Sequence, residues 1–167
     1  SASKSSIEII LNAYIKSYFL KSNKIKISIA RAGNVIGGGD LKKDRIVPDI
    51  IKSIKYKKKL LIRNPKSTRP WQHVLEPLSG YLLLGYLLIK KKLHSNISPS
   101  WNFGPYSKNS KKVKELVQGI LKNIDKKIKI KFEKKSIFYE SSLLSLNIKK
   151  AKKELGWSPT LSFIDTI

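Results

Sequence analysis

The sequence predicts an α/β domain built on parallel strands. Apolar residues recur along the chain first at helix spacing and then at strand spacing, in repeated alternation. A glycine-rich corner directly follows one of the strand-like runs, where connections in layered α/β domains commonly lie. Helical stretches between successive strands are what parallel pairing requires, because two parallel strands cannot be joined by a tight turn.

The elements follow in order. Over residues 4–22, Ile7, Ile10, Leu11, Tyr14, Ile15, Tyr18 and Phe19 fall on one helical face. In "KIKISIA" (24–30) the period drops to two, and Ile25, Ile27 and Ile29 alternate with polar neighbours as in a strand. "DRIVPDIIKSIKY" (44–56) returns to helix spacing through Ile46, Val47, Ile50, Ile51 and Ile54, which requires Pro48 to lie in the first turn. "LLIR" (60–63) reads as a short strand. Leu78 to Ile89 carries no charge over twelve residues, short of the roughly 20 that a membrane span needs, and reads as a buried helix. "WNFG" (101–104) is a further strand, residues 111–124 an amphipathic helix, and "IKIKF" (128–132) alternates again. The last helix stops at "KKELGWSP", where Gly156 suits a left-handed position and Pro159 blocks continuation.

The 167 residues contain no Met and no Cys, so the sequence reads as an internal piece of a longer protein, and disulfides and thiolate metal sites are excluded. The opening "SASKSSIE" lacks the apolar run of a secretory signal, and a cytoplasmic location is expected. The formal charge of +24 admits nucleic acid or an anionic surface as a partner. Lysine is spread through nearly every segment, however, and runs such as "KYKKK" (55–59) follow helices rather than interleave with aromatics, which favours solvated faces. Arginine is used differently: Arg31, Arg45, Arg63 and Arg69 all fall within 39 residues, as if a planar fork were needed there for carboxylate or phosphate.

Neither the dinucleotide pattern GxGxxG nor the P-loop pattern occurs, so Gly33, Gly37, Gly38 and Gly39 are not a recognisable pyrophosphate turn by spacing. A glycine-rich loop after a strand still lies where open α/β sheets bind ligands. Asn34 there reads either as a sugar or phosphate contact or as a turn residue tolerant of positive φ. "RNPKSTRPWQHVLEP" (63–77) gathers two Arg, Trp71, Gln72 and His73 among three prolines, a rigid frame suited to a diphosphate and a base. Trp71 and His73 equally suit a packed core.

"ARAGNVIGGGD", "DRIVPD", "IRNPKSTRPWQHVLEPLSGYLLL", "WNFGP" and "KKELGW" together resemble the nucleotide-sugar 4,6-dehydratases of the extended short-chain dehydrogenase/reductase family, over essentially the whole chain. The pairing of "RNP" with "RPWQHVLEPLSGYL" carries most of the specificity. The resemblance implies the last strands of a Rossmann-like doubly wound sheet plus a small C-terminal substrate-binding α/β subdomain. Residues 1–31 would end the NAD-binding domain, and 32–167 would be mainly substrate-binding with interspersed Rossmann elements. It also implies NAD as cofactor, a nucleotide sugar as substrate, no metal, no membrane or nucleic-acid partner, and a homo-oligomeric full-length enzyme.

By the same resemblance, "SASK" matches the end of a catalytic Tyr-x-x-x-Lys, whose Tyr would stand just before Ser1. Lys4 would then bind the nicotinamide ribose and lower the Tyr pKa, and the backbone at Ala32 would lie against the nicotinamide. Asn34 would contact the sugar diphosphate, Val47 and Pro48 the region of the base, and Arg63 and Arg69 the nucleotide and diphosphate, with His73 close by. Glu140 falls where the family has a Glu facing the ribose, although Tyr139 and Asn147 replace the His and Asp usual around it. Asn34, Arg63 and Arg69 are expected to share one pocket. The reaction implied is oxidation at C4 of the sugar, loss of water across C5 and C6, and return of hydride to C6, with the chain alone inactive. Another extended member acting on a different nucleotide sugar, and a Lys-rich nucleic-acid or anionic-surface binder, remain the alternatives at this point.

Overall fold

A computed structural model describes residues 2–19, 25–90, 93, 100–133 and 141–167. Helix α1 (Ala2–Tyr14) runs into a π-helical turn at Ile15–Phe19. Strands β1 (Ile29–Ala32) and β2 (Asn34–Ile36) are followed by α2 (Ile46–Lys55) and β3 (Leu60–Ile62). Then come β4 (Thr68–Arg69), β5 (Trp71–His73), α3 (Leu75–Ile89) and β6 (Ser100–Phe103). The chain closes with β7 (Lys111–Lys112), α4 (Val113–Asn123), β8 (Ile130–Phe132), a π-helical turn at Ala151–Leu155 and α5 (Phe163–Thr166).

Three strand pairs are parallel, with Ile29 opposite Ser100 in β1–β6, Asn34 opposite Trp71 in β2–β5, and Leu60 opposite Ile130 in β3–β8. The β4–β7 pair is antiparallel. Helices lie between the parallel partners, as the alternation of periods predicts.

Two cores hold the elements. In the first, Ile50 of α2 and Leu116, Val117 and Ile120 of α4 close over Leu60, Ile62 and Trp71. In the second, Leu84 of α3 packs with Trp101 and Phe103 of β6 and with Ala151, Leu155 and Trp157. Gly80 allows α3 to come this close, since a Cβ there would stand 2.2 Å from the Phe103 ring. Phe103 is in turn edge-on to Trp157, at 5.0 Å between ring centres.

Several sequence expectations hold at residue level. Pro48 is the third residue of α2, inside the first turn, and Gly156 ends the last π-helical turn at φ +69°. Others need correction. The strand expected at 24–30 is found at 29–32, where Ile29 to Ala32 pair with Ser100 to Phe103. The uncharged helix is not buried all round: one side meets β6, while Leu78, Leu82, Tyr86 and Ile89 are exposed, Ile89 by 80%. Strands β2, β4, β5 and β7, each two or three residues long, are too short to show a period and were not expected.

Candidate functional site

The corner that opens after β1 is a change of partner. Gly33 still donates its N–H to the Phe103 carbonyl at the end of β6 (3.2 Å), and the next N–H, of Asn34, donates to the Pro70 carbonyl before β5 (3.1 Å). Gly33 is required for this, since a Cβ would lie 2.7 Å from the Pro70 oxygen. The chain therefore leaves one parallel pair at its carboxyl end and enters another at its amino end, and the carboxyl end of a strand at such a change of partner is where α/β sheets open a crevice for a ligand. Ala32 and Asn34, both half-buried, flank the split.

Gln72 lies under this corner, 2% exposed, and donates from Nε2 to the Phe103 carbonyl at 3.0 Å. Its Oε1 has no hydrogen-bond partner among the described residues. A buried amide oxygen left without a donor is costly, by about 1–3 kcal/mol, so this one marks a place where a donor is wanted. Sequence reasoning counted Gln72 only as part of a polar cluster; the signal was a Gln beside Trp71 in a strand otherwise directed at the core.

The glycine-rich loop continues through Gly39 at φ +78° to a cluster of ion pairs. Asp40 accepts from Lys42 N (3.1 Å) and Arg45 Nη1 (3.0 Å), which hold its carboxyl below the usual range, the Lys42 amide most of all. Asp44 pairs with Arg63 just before α2 begins. Burial pushes the Asp49 carboxyl in the first turn of α2 upward, against the pull of Lys52 and Arg63. Val47 and Pro48 belong to the same first turn, and Val47 packs against the core around Trp71.

Among the described residues, Arg31, Arg45 and Arg63 each pair with a carboxylate of their own chain. Arg31 grips Glu8 of α1 through Nε and Nη2 at 2.7 and 2.5 Å, and these bonds hold the Glu8 carboxyl below its ordinary range. Arg69 differs. It is 5% exposed on β4, opposite Lys111, and donates from Nη1 to the Thr68 carbonyl at 2.9 Å.

His73 accepts the Leu75 N–H at Nδ1 (3.2 Å) and so caps the start of α3, which leaves Nε2–H as its free donor edge when the ring is neutral. Glu76, 4% exposed, has one carboxylate oxygen taking bonds from Thr160 N (2.8 Å), Thr160 Oγ1 (3.1 Å) and Leu161 N. Part of "RPWQHVLEP" is therefore a hook for the C-terminal segment.

The structure brings Asn34 and Arg69 to one seam, since Asn34 is bonded to the residue that follows Arg69. Arg63, Val47 and Pro48 gather at the start of α2 instead. Lys4 is exposed on α1, one turn before Glu8. Glu140 and Tyr139 lie outside the described residues; the carbonyl of Ser142 accepts the Thr68 N–H (2.8 Å). Asn147 Oδ1 accepts from Lys149 N (2.9 Å) at the start of the helical segment that ends at Gly156.

No family model matches the chain. Over 171 aligned residues it is 37% identical to CDP-glucose 4,6-dehydratase of Salmonella typhimurium, covering 100% of this chain and 47% of that protein. The chain thus spans about half the length of that curated relative. Among solved structures it matches UDP-glucuronic acid 4-epimerase from Bacillus cereus, solved with UDP-glucuronic acid and NAD (TM-score 0.79, 23% identity, 99% of this chain, 48% of that one). It also matches dTDP-glucose 4,6-dehydratase from Streptomyces venezuelae with NAD bound (TM-score 0.79, 18% identity, 99% of this chain, 47% of that one). Among the described residues no helix is long and apolar enough to cross a membrane. Along its whole length the chain is thus similar in sequence to that 4,6-dehydratase, and in α/β fold to the solved nucleotide-sugar enzymes.

Proposed function

We propose that the chain is the substrate-binding part of an NAD-dependent CDP-glucose 4,6-dehydratase, converting CDP-glucose to its 4-dehydro-6-deoxy product and water in the cytoplasm. The observation that carries this reading is the 37% identity running the full length of the chain, which includes the split after β1 and the "RPWQHVLEP" loop beside it. Residues 1–31 end the cofactor domain and 32–167 form mainly the substrate side.

Asn34, whose N–H bonds to the Pro70 carbonyl, and Arg69, the residue before Pro70, address the diphosphate. His73 offers Nε2–H from the end of β5, and Glu140 faces the ribose. Arg63 exchanges Asp44 for a nucleotide oxygen, next to Val47 and Pro48, which line the base. The residues fit a nicotinamide edge: Ala32 is small and half-buried at the carboxyl end of β1, and Lys4 is an exposed ammonium on the helix that Glu8 ties to β1. Lys4 holds ribose hydroxyls and favours an ionised phenol beside it. NAD when bound supplies a hydride acceptor that is regenerated in each cycle.

The exposed apolar sides of α1 and α3 support a larger, homo-oligomeric full-length enzyme, because apolar patches of that extent mark interfaces. The 167 residues alone, with no glycine-rich dinucleotide pattern, are inactive. Incubating the full-length protein separately with CDP-, UDP- and dTDP-glucose and following loss of water by mass tests the reading. Turnover of CDP-glucose is expected. Turnover of another sugar nucleotide with none of CDP-glucose would overturn it.

A further inference from the structure

Two lysine runs about 70 residues apart in sequence meet at the amino ends of two parallel strands. Helix α2 ends in a left-handed turn at Lys57 (φ +51°), α4 in one at Asp125 (φ +51°), and each turn leads through lysines into a strand. Those strands, β3 and β8, are parallel neighbours, and Leu60 N bonds to the Lys129 carbonyl at 2.9 Å, so the two loops lie side by side. Between them is a cavity of about 580 Å³ lined by Lys57, Lys58 and Lys59 from one loop and Lys126, Lys127 and Lys129 from the other. Ile54 and Ile128 complete its wall.

Lysines at a helix C-terminus ordinarily answer the partial negative charge there. Here the numbers do not balance. Two helix ends supply about one negative charge together, and Asp125 is the one carboxylate in the two loops, so an excess of about four positive charges remains. No ion pair to these six ammonium groups occurs among the described residues. Because the loops precede β3 and β8, they lie at the amino ends of these strands, whereas Arg63 follows β3 at its carboxyl end. The cavity is therefore separate from the sugar-nucleotide site.

We infer that this cavity is a binding site for a condensed phosphate chain. Lysine presents a compact charge on a flexible stem rather than a fixed fork, so selection is by the number of charges gathered and not by their geometry. A triphosphate offers enough charge in a small span to meet the excess, and a volume of this size lies within the roughly 300–1,000 Å³ of ligand pockets. The isoleucines leave room for an apolar face, so the chain can come from inorganic polyphosphate or from a nucleoside triphosphate.

Calorimetric titration of the intact protein with inorganic tripolyphosphate tests this. One saturable site per chain is expected, far weaker for orthophosphate, and weakened about tenfold or more by Lys58→Glu with Lys127→Glu. The charge-matched control Lys108→Glu with Lys149→Glu should change it less than about threefold, with sugar-nucleotide turnover and the unfolding temperature unchanged in both pairs. Tighter binding of CTP or ATP than of tripolyphosphate assigns a nucleotide as the source, and equal or weaker binding assigns an inorganic chain. Absence of a saturable site, equal affinity for orthophosphate, or equal loss in the control pair overturns the inference. So does binding of duplex DNA through these lysines without binding of tripolyphosphate, which would make the surface a nucleic-acid contact.

Discussion

Helices α1 and α4 are written in the same pattern and meet different surroundings. In α4, Leu116, Val117 and Ile120 are buried against α2, β3 and Trp71, and the helix is a wall of a closed core. In α1 no residue is buried, and Ile7, Ile9, Ile10 and Tyr14 are all more than half exposed. What fastens α1 is polar: the Arg31 fork on Glu8, with Asn102 Oδ1 a third acceptor for the same guanidinium at 3.3 Å. An amphipathic period therefore establishes that a helix has an apolar side, and says nothing of whether the same chain covers it. Helix α3 is intermediate, closed on β6 through Gly80 and open along Leu82 and Ile89.

The largest test of this contrast is a pair of truncations. Leu116→Ala should destabilise by about 3 kcal/mol, as a large-to-small change at a fully buried site does, while Ile10→Ala in the same chain should cost under about 0.5 kcal/mol in denaturant unfolding. If the α1 face is covered in the full-length protein, Ile10→Ala there should rise toward about 2 kcal/mol. An equal, small effect in both settings would show that nothing packs on it. Next in size, Gly80→Ala puts a methyl into the Phe103 ring, which has nowhere to move. About 2 kcal/mol of destabilisation is expected despite the better helix propensity of Ala, read as a lowered unfolding temperature.

The smallest effect concerns pH. The Arg31 hydrogen bonds hold the Glu8 carboxyl below its ordinary 4.5, so the contact stabilises above that value and is lost as pH falls through the lowered one. Both partners are partly exposed, which keeps the contribution below about 1 kcal/mol. Amide exchange in α1 should accelerate relative to α4 as the solution is acidified below about pH 4, and Glu8→Gln should remove that difference. Identical acceleration of the two helices would sink the assignment.

The site was legible in parts, for physical reasons that differ by residue. The corner at Gly33 was visible because glycine at the end of a strand marks a close approach, and the atom approached turns out to be the Pro70 oxygen. Arginine clustering was visible as a demand for forks, but three of those forks are met by Glu8, Asp40 and Asp44, which composition alone does not single out. Gln72 was hidden because a buried amide is recognised only when its surroundings are known. His73 read as a possible contact, and only the fold shows its Nδ1 occupied by a helix start.

By itself the sequence determined the alternation of helix and strand, the first-turn place of Pro48 and the left-handed stop at Gly156, because these rest on local sterics and periodicity. The partners of short strands, the convergence of two lysine runs on one cavity, and the exposure of α1 and α3 were decided only by the tertiary structure. Such contacts join residues tens of positions apart, and the energy of each depends on what stands opposite, which no local pattern encodes.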